Sequence, residues 1–554
     1  MPETSVEDSP PPPPAEKSLP VDKTVFGLGA ALVLAVLAWG ALGGDSMSSV
    51  ADVGLAWVLH NFGWLFVVAA DVFLVLAVVI AASRFGPIRL GADDEEPEFT
   101  TLAWVAMMFS AGMGIGLMFY GVAEPLTHFA APPPGTGIAP LGDDAARTSM
   151  EYTFFHWLLH PWAIYAVAGL ALAYATFRKR RGNRLSAAFV PLLGERRANG
   201  GPGRAIDLLA IFATVFGSAT SLGLGALQIA AGLKIVSGVP DSRALELIII
   251  GALTAAFVVS AFSGVHRGVK WLSTANLILA AALMVFIFVL GPTVYILDVL
   301  PASVGGYLND LLPMATRTGA FSDADWLGTW TIFYWAWWLS WAPFVGTFIA
   351  RISRGRTVRQ FIVGVLLVPS GASAVWFSVL GGAAIRTQAT GRADLVAELA
   401  GGEEEALFGL LESMPLYTVT SVVCVILVAL YFVTGADSAS LVLGSLSSRG
   451  SLLPRKWLVV TWGVLIGAVA GVLLVAGGLE ALQQATILVA LPFVLVMLAL
   501  CWSLLKELRE DPGAGQVPKH ALRGLRAAVR TAVGEALDAE PGRRRIRWRT
   551  GPPS

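Results

Sequence analysis

Six of the chain's 18 tryptophans fall within residues 326–341: Trp326, Trp330, Trp335, Trp337, Trp338 and Trp341. Trp157, Trp162 and Tyr165 form a second aromatic group, and at about 100° per residue their rings fit one broad helical face. Pro161 lies among them; it has no N–H for the Trp157 carbonyl and should bend the helix there. Converging indole faces hold a cation that lacks hydrogen-bond donors, such as a quaternary ammonium, at about 2 kcal/mol or more each when desolvated. A primary amine would need carbonyl or carboxylate partners, and Glu124 and Glu151 read as lying near the outer ends of their runs. Interface belts are the common reason for tryptophan in membrane proteins. A belt accounts for Trp326 and Trp330 but not for Trp337, Trp338 and Trp341, deep in a run that ends at Arg351.

Two further places break the apolar pattern. Gly112, Gly114 and Gly116 sit around Met113 and Ile115, and each glycine inside a helix costs about 1 kcal/mol relative to alanine. A helix built to unwind is the reading preferred over a small-residue packing face, because such a face leaves Gly114 without a purpose. Unwound backbone at membrane depth survives where it lines a cavity, and its carbonyls can then coordinate a cation. The second place is Tyr431 to Ser440, where Thr434, a glycine break at Gly435 and Asp437 interrupt an apolar run. Thr434 has a hydroxyl and a carbonyl to offer a small hard cation; Asp437 reads first as a structural cap or partner. His156 and His160 are spaced for a metal on one helix face, but no third ligand is near in sequence and no transition-metal site is expected. No nucleophile elbow, phosphate loop or HExxH pattern occurs, so an enzyme is not indicated.

These residues need elements to carry them. Charged residues make up 14% of the 554, against about 25% in soluble proteins, and 55% of the chain is apolar. A net charge of −1 offers nothing to nucleic acid, and Cys424 and Cys501 both lie in apolar stretches. The composition is that of an all-α polytopic membrane protein. Apolar runs near 24–44, 61–83, 101–121, 152–177, 205–234, 244–263, 271–299, 326–350, 358–383, 416–446, 457–478 and 481–505 predict twelve transmembrane helices. With the N-terminus inside, the inner loops collect nineteen lysines and arginines and the outer connections six, so both ends are expected in the cytoplasm. Residues 1–23 read as a disordered tail, 300–325 as an outer interfacial helix, and 507–554 as a basic tail with lipid-facing or merely solvated arginines.

The stretch from Ala111 to Gly121 followed by Glu124-Pro125-Leu126, and that from Trp330 to Trp338 running on to Pro343-Phe344-Val345-Gly346 and Ala350 to Arg356, closely resemble the betaine/choline/carnitine transporter family over about residues 24–506. The resemblance implies two peripheral helices (24–100), then two inverted five-helix repeats of the leucine-transporter-like fold (101–299 and 326–506). It implies an aromatic box of Trp157, Trp162, Tyr165 and Trp338, with Met113 and the backbone of Gly112, Gly114 and Gly116 beneath it. Trp337, Trp341 and Phe333 would belong to the path and cytoplasmic side of the same helix. One sodium site would use Ser110 and Met113 with Tyr431 and Thr434; a second would use Thr214 and Ser218 with Phe344. No cofactor is implied beyond sodium as coupling ion. The implied function is import of a quaternary ammonium osmolyte, glycine betaine first, by a likewise implied homotrimer in the cell (inner) membrane. Sodium-coupled relatives usually carry a serine after the span-ten threonine, where this chain has Gly435. The alternatives are a proton-coupled carrier or exchanger for choline or carnitine, and an osmosensor with vestigial transport.

Overall fold

The computed structural model describes residues 19–112, 114–263, 266–321, 324–515 and 529–531. Among these the chain is helical, without a strand; the only extended pairing is an isolated bridge between Arg89 and Thr357. Nine helices among the described residues are long and apolar enough to cross a membrane. The protein is an all-α, multi-pass membrane protein.

Helix α1 (Lys23–Leu42) starts where Asp22 caps the amides of Thr24 and Val25. Only Gly43 separates it from α2 (Gly44–Ala82). The helix expected from residue 61 thus begins at Gly44, about 25 Å of helix earlier, because the stretch before it continues the helix with apolar residues at many positions. The third run is divided into α3 (Thr101–Gly112) and α4 (Ile115–Ala130). The fourth is α5 (Asp143–Trp157) and α6 (Leu159–Ala173), separated at Leu158 with φ −99° and ψ −105°. The bend expected at Pro161 therefore falls three residues earlier, as a proline in the first turn of α6 allows.

Next come α7 (Gly201–Ser237), α8 (Arg243–Ser263), α9 (His266–Leu290) and α10 (Thr293–Ala315). The last of these starts earlier, and ends earlier, than the helix expected over 300–325, its start set by the Gly291-Pro292 turn. Helix α11 (Phe333–Ile352) carries most of the tryptophan-rich run, and α12 (Val358–Ala389) begins with a capping box of Thr357 and Gln360. Helix α13 (Tyr417–Leu446) runs without interruption through Gly435, so the expected glycine break there does not occur. Helix α14 (Lys456–Arg509) is a single 54-residue element only nominally: Gly477 and Gly478 leave helical geometry, the latter at φ +64°, and divide it. The site is framed by α6 against α11, α7 against α13 and α14, and α4 against α12.

The end of α14 is strapped to the arginine-rich end of the bundle. Arg178 grips Asp511 in a two-pronged pair, Nε to Oδ2 at 3.0 Å and a second nitrogen to Oδ1 at 2.8 Å, while Tyr174 donates to the same carboxylate. Burial alone would raise the Asp511 carboxyl; the bonds from Arg178, Tyr174 and the Gly513 amide outweigh it and hold it below its ordinary value. A depressed acid stabilises fully above its unfolded pKa, about 3.9, and that contribution fades as pH falls through the folded value. Asp511→Asn is accordingly expected to lower the thermal unfolding midpoint at neutral pH by an amount that shrinks below about pH 4. An equal deficit at all pH values would show that the charge is irrelevant. Of the basic tail, residues 516–528 and 532–554 lie outside the described residues, as do residues 1–18 of the N-terminal tail.

Candidate functional site

The site is built on the two helix interruptions. Gly114 is extended at φ −165° and ψ −175°, and the first turn of α4 has no side-chain cap. The first amides of a helix lack intrahelical partners, so an anion is favoured at this end. Met113 lies outside the described residues, and the side chain of Ser110 is likewise not described, while Gly112 ends α3. Gly116 is required by close approach: a Cβ there would stand 2.7 Å from the Trp337 ring and 3.0 Å from that of Trp157. Gly116→Ala should push these rings apart and weaken ligand binding by about 1–3 kcal/mol, measured as a dissociation constant; unchanged affinity would dissociate the rings from the ligand.

Trp157, Trp162, Tyr165 and Trp338 do converge, around a cavity of about 40 Å³ that Gly114, Gly116, Trp337 and Trp341 also line. Trp157 and Trp338 meet edge to face, centroids 4.9 Å apart at 70°. Trp162 and Tyr165 pair at 5.4 Å and 78°, Tyr165 and Trp338 at 6.4 Å and 80°. Trp337 stacks on Trp338 at 4.9 Å and 12°. Among the described residues no charged side chain lines this cavity, and the buried Tyr165 hydroxyl has no hydrogen-bond partner. The indoles are tethered: Trp338 Nε1 donates to the His156 carbonyl at 3.0 Å, Trp337 Nε1 to Ser221 Oγ at 3.2 Å, and Trp341 Nε1 to the Gly217 carbonyl at 3.0 Å.

A second cavity, about 190 Å³, adjoins it and shares Gly114 and Trp341. Ser218, Phe344, Tyr431, Thr434 and Gly435 line it. Asn276 Nδ2 donates to Thr434 Oγ1 at 3.3 Å, while Asn276 Oδ1 and the Tyr431 hydroxyl are buried without partners. Unpartnered buried oxygens are what a hard cation requires. Thr214 is not in the lining; its hydroxyl donates to the Ala210 carbonyl of its own helix at 2.8 Å. Phe333 lines neither cavity: it is fully buried one turn before Trp337 and stacks on it at 5.5 Å.

A family profile, that of the betaine/carnitine/choline family transporters, matches residues 24–513. The chain belongs to this family. The transporter is 45% identical over 503 residues to the glycine betaine transporter OpuD of Bacillus subtilis, covering 90% of this chain and 97% of the relative. It is 41% identical over 528 residues to the betaine/ectoine transporter LcoP of Corynebacterium glutamicum, covering 94% and 82%. It is 39% identical over 488 residues to the ectoine/hydroxyectoine transporter of Virgibacillus pantothenticus, covering 88% and 97%. Family and relatives are transporters, not enzymes.

Two expectations from sequence are corrected in this transporter. Glu124 is not peripheral: α4 continues to Ala130, and the carboxylate is fully buried, bonded to Trp157 Nε1 at 2.6 Å. Trp330 and Trp326 are not a lipid belt, for Trp330 is buried against Tyr120 and His128, and half-buried Trp326 packs on Tyr152 beneath the Arg317 guanidinium. His156 and His160 do not share a partner; the break at Leu158 turns one to Glu124 and the other to Asp71, at 2.6 and 3.0 Å. His128, the buried role of Glu124, and Asn276 escaped the sequence reading. The spacing of Glu124 and His128, one helical turn apart, was the available signal for the first two, and a lone amide in an apolar run for the third.

Proposed function

We propose that this transporter imports a quaternary ammonium osmolyte, with glycine betaine as the first substrate, by sodium symport and alternating access. The observation that carries the reading is an uncharged box of four aromatic side chains beside a helix start. Ring faces replace water around a trimethylammonium group, and the α4 amides face the carboxylate. Sodium ions would occupy the larger cavity, at Tyr431 and Thr434 with the carbonyls of Ser110 and Met113, and at Ser218 and Phe344, with Thr214 one turn away outside the lining. Each ion moved inward gains about 2.3 kcal/mol per 100 mV. Twelve spans, taking α3 with α4 and α5 with α6 as one span each and the two halves of α14 separately, would comprise two peripheral helices followed by two inverted five-helix repeats, with both termini cytoplasmic and three copies assembled in the cell membrane. The tail beyond residue 515 would lie against anionic lipid.

The test is uptake of labelled glycine betaine into proteoliposomes with sodium, proton and counter-substrate gradients imposed one at a time. Accumulation driven by sodium alone supports the proposal; accumulation that follows protons or exchange and ignores sodium assigns the coupling to the rival carriers. A second reading takes ectoine as substrate, since two of the relatives carry that name. Ectoine lacks methyl groups on nitrogen and would rely on the Tyr165 hydroxyl, so competition between the two compounds with and without Tyr165→Phe separates them.

A further inference from the structure

Behind the aromatic cavity lies a buried acid. Glu124 meets Trp157 Nε1 and the Tyr334 hydroxyl through Oε2, each at 2.6 Å, and His156 Nδ1 through Oε1 at 2.6 Å. His128, one turn along α4, brings Nε2 to 3.6 Å from Oε1, yet both its ring nitrogens are buried without a hydrogen-bond partner. All three side chains have no exposed surface, and their ligating atoms lie within 4.8 Å of one another.

We infer that Glu124 is the counter-charge of the cation cavity, and that a proton held among Glu124, His128 and His156 switches that charge off. The inference rests on the quaternary ammonium reading above. A carboxylate that accepts from an indole, a phenol and an imidazole carries its full negative charge in this pose. The indole it holds is Trp157, whose ring lines the cavity, so the charge stands directly behind one wall. Drawing the N–H toward the carboxylate enriches the ring face, and the low interior dielectric carries the attraction to a cation on the other side.

The proton can be added without moving a heavy atom. Glu124 Oε1 then donates to His156 Nδ1, and His156 Nε2 donates to Thr331 Oγ1 at 3.0 Å. Alternatively the proton rests on the unpartnered His128 ring beside the carboxylate. Either way the net negative charge is lost. A divalent metal fits less well, because two ligands about 2.0–2.1 Å from one ion stand more than 3 Å apart, whereas Glu124 and His156 are at hydrogen-bond distance. The other titratable groups facing the cluster are Tyr120 on its own helix, Tyr152, Tyr334 and His160 on packed helices, and Glu403 and Glu404 from the 403–405 turn. Arg317 reaches it only through Tyr152 and Trp326.

Proton and substrate should therefore compete. The test measures glycine betaine binding to the purified full-length chain at saturating sodium between about pH 5.5 and 8.5, alongside 3,3-dimethylbutyrate, which has the same shape and carboxylate but no positive charge. Wild type is expected to bind betaine more weakly as pH falls, by about tenfold, and the analogue, whose carboxylate is its only charge, without that weakening. Glu124→Gln should bind betaine about tenfold more weakly with a flat pH profile while leaving the analogue unaffected, and His128→Asn should shift the midpoint of the profile. Equal losses for both ligands in Glu124→Gln would reduce Glu124 to a prop for Trp157 and overturn the inference, as would an unaltered pH slope. One tightly bound zinc per chain, lost in His128→Asn, would overturn it in favour of a metal site. A wild type that binds no quaternary amine would instead remove the functional proposal itself, whereas betaine binding that survives with Trp338 essential and Glu124 dispensable removes only this inference.

Discussion

Trp338→Ala is expected to abolish measurable glycine betaine binding while the protein still folds. Trp338 touches both Trp157 and Tyr165 across the small cavity and backs onto Trp337. Its removal deletes one face of the box, about 2 kcal/mol or more of cation attraction, and loosens the remaining three rings. Loss of those 2 kcal/mol alone weakens binding roughly thirtyfold. The buried ring also contributes to stability, so a fold control is needed. Trp462 serves: it is fully buried, donates to Ser447 Oγ at 2.9 Å and packs on Phe26, lining neither cavity. Trp462→Ala should lower the thermal midpoint comparably and leave betaine affinity of the folded fraction intact. If Trp462→Ala and Trp338→Ala lose binding in parallel, the aromatic box is no box.

The second large effect is a gain. Gly435→Ser should tighten sodium binding by about 1.5 kcal/mol, roughly tenfold, because a hydroxyl joins the charged ion's shell. Gly435 lines the larger cavity next to Thr434, and a Cβ built on it meets nothing within 4 Å. The addition therefore requires no rearrangement of α13. Sodium titrations of betaine binding would show the half-saturating concentration fall; Thr434→Ala should move it the other way. No change in sodium dependence for either variant would place the ion elsewhere.

Apart from the placing of Trp338, which only the family resemblance implied, the membrane class, the helical architecture, the interruption between Gly112 and Ile115 and the common face of Trp157, Trp162 and Tyr165 were legible in the sequence. Each follows from a local property, namely apolar run length, helix propensity and aromatic spacing. What escaped was set by contacts between distant segments. Glu124 reads as lying near an outer end because its apolar run ends at Gly121, whereas α4 continues to Ala130 and buries the carboxylate. Phe333 was placed with the path by the family resemblance, and its ring turns to Tyr120 and Trp337. Thr214 is spaced one turn from Ser218, but its hydroxyl is engaged by its own helix. Gly435 suggested a break by composition alone, and the packing of α13 against α7 overrides that weak preference.

The discontinuity at Leu158 has a further outcome. In an unbroken helix the His156 carbonyl would accept from the amide of residue 160; here it receives the Trp338 indole instead. The imperfect helix thus supplies the peg on which the most important ring hangs. Restoring regularity with Pro161→Ala would favour a straighter, more heat-resistant segment and let Trp338 swivel. Endurance and grip on the ligand are opposed at this one turn.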